Sequence, residues 1–87
     1  MLWLNEAVID VPNGLKGFLL VQRLHDHHAY NKQAQDGRWH VHVELTDPEA
    51  IPGLLTAIQP WLRAEQVAGT TVHVGDEDYE LAAPTVG

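Results

Sequence analysis

The chain has 87 residues, twelve acidic against five basic side chains, a formal charge of −7 and 45% hydrophobic residues. That size fits one domain, and that balance is globular rather than disordered. The absence of cysteine excludes disulfide scaffolds, thiolate catalysis, zinc ribbons and iron–sulfur clusters.

Residues Met1 to Glu6 carry an apolar run too short for a signal peptide and no basic region. No apolar stretch approaches the roughly 20 residues a membrane span needs. Together with the missing cysteines this predicts a cytoplasmic protein. Trp3 sits in this apolar terminus and is a candidate for an interface or pocket. A first strand is expected over Glu6 to Val11. Pro12-Asn13-Gly14 then permits either a hairpin turn or a helix entry. The run Leu15 to Leu24 has no decisive period. Its length, with Asn13 as a cap, favours a helix; Gly14 and Gly17 favour a strand. The segment Val11-Pro12-Asn13-Gly14-Leu15 resembles the strand-to-helix corner of ACT-type regulatory modules, and that resemblance implies an amino-acid ligand at a subunit interface.

Ala29 to Ala34 reads as a rather polar strand and Gln35-Asp36-Gly37 as the hairpin turn after it. Trp39 to Leu45 is the clearest strand. Trp39, Val41, Val43 and Leu45 fall on one face, and His40, His42 and Glu44 on the other. A long helix is expected over residues 47 to 66, with Asp47 as N-cap, Pro48 at the first position and Glu49 in the first turn. Ile51, Leu54, Leu55, Ile58, Trp61 and Leu62 form its apolar face. Pro60 lacks an amide hydrogen and is expected to kink or split it, and Gly69 to stop it. Thr70 to Val74, a turn at Gly75-Asp76-Glu77 and a return through Tyr79-Glu80-Leu81 complete a domain over residues 1–81. Residues 82–87 are expected to form a flexible tail. Trp39 and Trp61 lie on inward faces and are expected in the core.

With Leu15 to Leu24 helical, the order is β-α-β-β-α-β plus a short final strand. It is similar to the ferredoxin-like plaits, α+β folds with an antiparallel sheet and both helices on one face. With the same run as a strand, the chain becomes a three-stranded meander, a helix and a hairpin. In the plait, the first strand lies between the third and the fourth. Strand alternation then puts Glu6, Val8 and Asp10 on the open face, between His40, His42 and Glu44 on one side and Thr71 and His73 on the other.

Six histidines are many for this length, and protonating all of them would take the charge from −7 to −1. His40 and His42, at i and i+2 on a strand, point the same way, and with His73 they are candidate ligands for zinc, nickel or manganese. The spacings H-E-x-x-H and H-x₃-H are missing, so polar residues on a solvated sheet are the plainer account. His25-Asp26-His27-His28 reads as a polar helix end, where histidines suit the dipole. Asp76-Glu77-Asp78 reads as a solvated hairpin tip. The chain has no serine, no glycine-rich phosphate loop and no clustered bases, so a serine nucleophile, nucleotide-loop chemistry and nucleic-acid binding are not expected. No cofactor is implied.

Three functions fit these residues. The favoured one is a non-catalytic binding or regulatory module acting through a homodimer or a larger protein partner, with Glu6, Asp10, His40, His42, Glu44 and His73 as its open face. The second is a small enzyme of the dimeric α+β-barrel kind, using His40, His42, His73, Asp10 and Tyr30 as acid–base groups. The third is metal binding through His40, His42 and His73.

Overall fold

The computed structural model describes residues 5–83. Trp3 and the last four residues of the expected tail lie outside that range. The element order is β1 (Asn5–Val11), α1 (Gly14–Arg23), β2 (His28–Gln33), β3 (Trp39–Leu45), α2 (Ala50–Ala64), β4 (Gly69–Val74) and β5 (Glu77–Ala82). The fold is α+β, with one five-stranded antiparallel sheet and two helices. The strand order is β2-β3-β1-β4-β5, so β1 lies between β3 and β4.

The ambiguous run Leu15 to Leu24 is helical through Arg23, and the meander alternative falls. The local reason is Asn13. Its backbone is extended and its side chain accepts a hydrogen bond from the Lys16 amide at 2.8 Å, which satisfies one unpaired donor of the first turn. Gly17 belongs to the helix because Asn31 of β2 lies directly beneath it. Asn31 Nδ2 donates to the Gly14 carbonyl at 2.9 Å and ties α1 to the strand.

Both helices pack on the same face of the sheet. Leu20 and Leu24 meet Leu54, Ile58, Trp61 and Leu62 over Ala7, Ile9, Val41, Val43, Leu45, Val72 and Val74. Each fully buried aliphatic side chain contributes about 1.5–3 kcal/mol. Trp61 is fully buried, and its indole N–H donates to the Lys16 carbonyl at 2.9 Å. Trp39 faces the same way but is only half-buried, because it closes the end of the core beside Gly14.

Three expectations about α2 need correction. Regular helix begins at Ala50, not at Asp47; the Asp47 side chain instead holds the Glu49 amide at 2.9 Å in the preceding turn. Pro60 does not split the element, which runs unbroken to Ala64, since burial of Ile58, Trp61 and Leu62 outweighs one missing ladder bond. The residue that stops the helix after Ala64 is Gln66 rather than Gly69. Gln66 takes a positive φ of 55°, the Val67 amide bonds the Leu62 carbonyl at 2.9 Å and the Gln66 amide bonds that of Arg63. That pair of bonds is a Schellman stop with a non-glycine residue at its left-handed position.

At the far end β5 continues through Ala82, and the Ala83 amide donates to the Ala68 carbonyl at 2.9 Å. No helix among the described residues is long and apolar enough to cross a membrane.

Candidate functional site on the open sheet face

The residues opposite the helices are fixed by alternation and register. Pairing of β1 with β3 sets Glu6 against Glu44, Val8 against His42 and Asp10 against His40. Pairing of β1 with β4 sets Val8 against His73. On the outer strands, His28 lies across from Glu44, Tyr30 from His42, Lys32 from His40, Asp78 from His73 and Glu80 from Thr71. All six predicted face residues therefore share one surface. Among the described residues this surface holds five carboxylates (Glu6, Asp10, Glu44, Asp78, Glu80) against one lysine, Lys32.

The carboxylates of the central strand organise the imidazoles. Glu6 Oε1 lies 2.7 Å from His42 Nδ1, and the Tyr30 hydroxyl donates to Glu6 Oε2 at 3.3 Å. The Tyr30 and His42 rings stack, with centroids 5.0 Å apart and planes within 5°. The His42 hydrogen bond, helped by Tyr30 and Lys32 and opposed by burial, holds the Glu6 carboxyl below its ordinary value. Desolvation, reinforced by Glu6, raises the Tyr30 phenol.

Asp10 bridges two strands. Its Oδ1 lies 3.2 Å from His40 Nε2 and its Oδ2 3.2 Å from His73 Nε2. The other ring nitrogen of His73 meets Asp78 Oδ1 at 2.7 Å. A neutral imidazole has one N–H and satisfies one of these carboxylates; an imidazolium donates to both. The His73 pKa is raised accordingly, chiefly by the Asp78 hydrogen bond, with Asp10 adding and burial opposing. The imidazoles are held in place although the face is open: His40 and His42 side chains are 23% and 17% exposed.

His42 turns to Glu6, and the His40 and His42 rings meet edge-on with centroids 6.5 Å apart. No group of three or more His, Asp or Glu among the described residues is arranged to hold a metal ion. His25 and Asp26 pair at 3.4 Å in the exposed turn after α1, away from this face.

One contributor, Asp78, is not expected on this face from the sequence, and Tyr30, expected only among the acid–base groups of the enzyme alternative, joins it. Asp78 reads as part of a solvated tip, yet the two-residue turn at Gly75-Asp76 brings it opposite His73. Tyr30 completes the Glu6–His42 group from the edge strand. The alternation His28, Tyr30, Lys32 is the signal for Tyr30, and the alternation Asp78, Glu80 is the signal for Asp78, once β2 and β5 are paired in register. Shallow depressions flank the group. One is lined by Asn5, Glu6, His28, Ala29, Tyr30 and Glu44, the other by Lys32, Gln33, Ala34, Gln35, His40 and His42.

Comparison with models of known protein families, with curated proteins and with solved structures finds no match.

Proposed function

We propose that this chain is a non-catalytic binding module of ferredoxin-like architecture, with β5 as an added edge strand, whose open sheet face receives a positively charged segment of a protein partner. The observation that carries the reading is the charge of that face: five carboxylates against one lysine, with Glu6 directly across from Glu44. Like charges opposed on neighbouring strands destabilise a sheet. A fold that keeps such a pair on its central strands gains from it elsewhere, and a cationic partner supplies that gain.

Charge complementarity also favours a basic partner over a second copy, since two such faces would repel until their histidines were protonated. The hydrogen bonds that Glu6 and Asp10 accept fix the side chains before any partner arrives, which lowers the ordering cost of binding. Catalysis on the same groups needs an enclosed apolar cavity, and the depressions beside them are shallow and open.

The test is calorimetric titration of the protein with an oligo-arginine peptide at low ionic strength, beside light scattering of the protein alone. Glu6→Gln with Asp10→Asn should weaken binding on the order of ten-fold. Asp26→Asn with Glu49→Gln removes the same charge from exposed positions off the face and should leave binding nearly unchanged. Equal loss in both pairs overturns the reading. So does a stable homodimer that the Glu6/Asp10 variant dissolves, which would assign the face to a second copy.

A further inference from the structure

A different surface carries the second site. The chain has five Lys and Arg residues. Lys16 donates from Nζ to the Glu65 carbonyl, Arg38 lies 3.6 Å from Asp36, and Lys32 belongs to the open sheet face. The remaining two, Arg23 and Arg63, line one groove between the helices together with Thr56, Gln59, Pro60 and Ala64. Among the described residues neither guanidinium pairs with a carboxylate. No acidic side chain lines the groove.

Each arginine sits in the last turn of its helix, where a cation offsets the helix dipole. That accounts for either alone. It does not account for two like charges on one concavity of a chain with twelve acids to draw on. A guanidinium presents a planar fork of donors that binds carboxylate or phosphate in pairs of hydrogen bonds. One carboxylate has two oxygens and satisfies one fork. A phosphate monoester carries two charges and three free oxygens, enough for two forks at once.

The rest of the groove selects further. The Pro60 ring and the Ala64 methyl give it an apolar wall, and the Gln59 amide adds a donor and an acceptor. Pro60 brings no amide hydrogen to the Thr56 carbonyl, and the Thr56 hydroxyl is already given to the Pro52 carbonyl at 2.9 Å. Thr56 therefore offers acceptors only, which suit a hydroxyl group on the ligand. We infer that the groove between α1 and α2 is a binding site for a small hydroxyl-bearing organic phosphate, held by Arg23 and Arg63.

The experiment is a ¹⁵N–¹H NMR titration of the full chain with inorganic phosphate, with glycerol phosphate and with glycerol. The expected result is saturable one-site shifts at Arg23, Gln59, Arg63 and Ala64 with both phosphates and none with glycerol. Glycerol phosphate should bind more tightly than inorganic phosphate; equal affinity overturns the role given to Thr56. Arg23→Gln and Arg63→Gln should each weaken binding on the order of ten-fold, while Arg38→Gln leaves it unchanged. Both arginines are exposed, so the variants should retain the wild-type spectrum elsewhere. Shifts that fail to saturate, or that spread evenly over Lys16, Lys32 and Arg38, overturn the site, as does unchanged binding in either groove variant.

Discussion

Replacing glycine by alanine inside a helix ordinarily stabilises it by roughly 0.5–1 kcal/mol. At Gly17 the sign should reverse. A Cβ there would lie 2.4 Å from Asn31 Oδ1, 2.8 Å from Cγ and 2.9 Å from Nδ2. Asn31 cannot yield freely, because its Nδ2 holds the Gly14 carbonyl at 2.9 Å and its Oδ1 is buried without a donor. Turning the side chain away gives up that bond, about 0.5–1.5 kcal/mol, together with the packing of Asn31 beneath the helix. Keeping it in place forces α1 off the sheet, an overpacking cost of about 1–3 kcal/mol. Against the helix gain, Gly17→Ala should destabilise by about 1–2 kcal/mol, or roughly 4–16 °C in Tm for a domain of this size. Gly53 in α2 has open space around its Cβ position, so Gly53→Ala should stabilise by about 0.5–1 kcal/mol. Thermal and urea unfolding followed by circular dichroism measure both, and Asn31→Ala should restore most of what Gly17→Ala loses. A Gly17→Ala variant as stable as the Gly53→Ala variant would refute the packing described between α1 and β2.

Other consequences follow from single contacts. Trp61→Phe keeps most of the buried ring but removes the donor to the Lys16 carbonyl, and should cost about 1–3 kcal/mol in urea unfolding with an unchanged m-value. Gln66→Gly relieves a left-handed non-glycine residue at the end of α2 and should stabilise by about 0.5–1 kcal/mol in the same assay. Stability should also depend on pH in two opposite ways. His73 holds its proton more tightly folded than unfolded, so its contribution is complete below 6.5 and lost as pH rises through the raised value. Glu6 holds its proton less tightly folded, so its contribution is complete above 4.5 and lost as pH falls through the lowered value. The two windows overlap between 4.5 and 6.5, and Tm should peak there. Asp78→Asn should flatten the alkaline limb and His42→Gln the acid limb; a profile unchanged by either would contradict the pairings.

The strands were legible because one face of the sheet is buried and the other open. Trp39 to Leu45 alternates strictly, and from it the positions of His40, His42 and Glu44 follow without a structure. Asn13 gave the helix entry its chemistry, but Leu15 to Leu24 has an apolar run on which period alone decides nothing; Asn31 settles it from a distant strand. The expected end near residue 66 stands close to the observed end at Ala64, but the stop is Gln66 rather than Gly69 for the same reason. A left-handed glutamine has no local signature, and only the burial of Val67 beside Leu62 makes that stop worth its strain. On the open face, the sequence places groups on a surface but not in pairs. That Asp10 bridges His40 and His73, and that Asp78 reaches His73, depends on register across three strands. The groove at Arg23 and Arg63 joins residues forty positions apart on separate helices, and no spacing rule connects them.

The proposed docking of a cationic protein segment on the open sheet face is tested most directly by the footprint of an oligo-arginine peptide on the ¹⁵N–¹H spectrum of the chain. Shifts should concentrate on β1 and β3, on Tyr30 and on Asp78, saturate at one peptide per chain, and weaken as salt is added. Shifts scattered over every acidic position, with Asp26, Glu49 and Asp76 moving as far as Glu6 and Asp10, would contradict it.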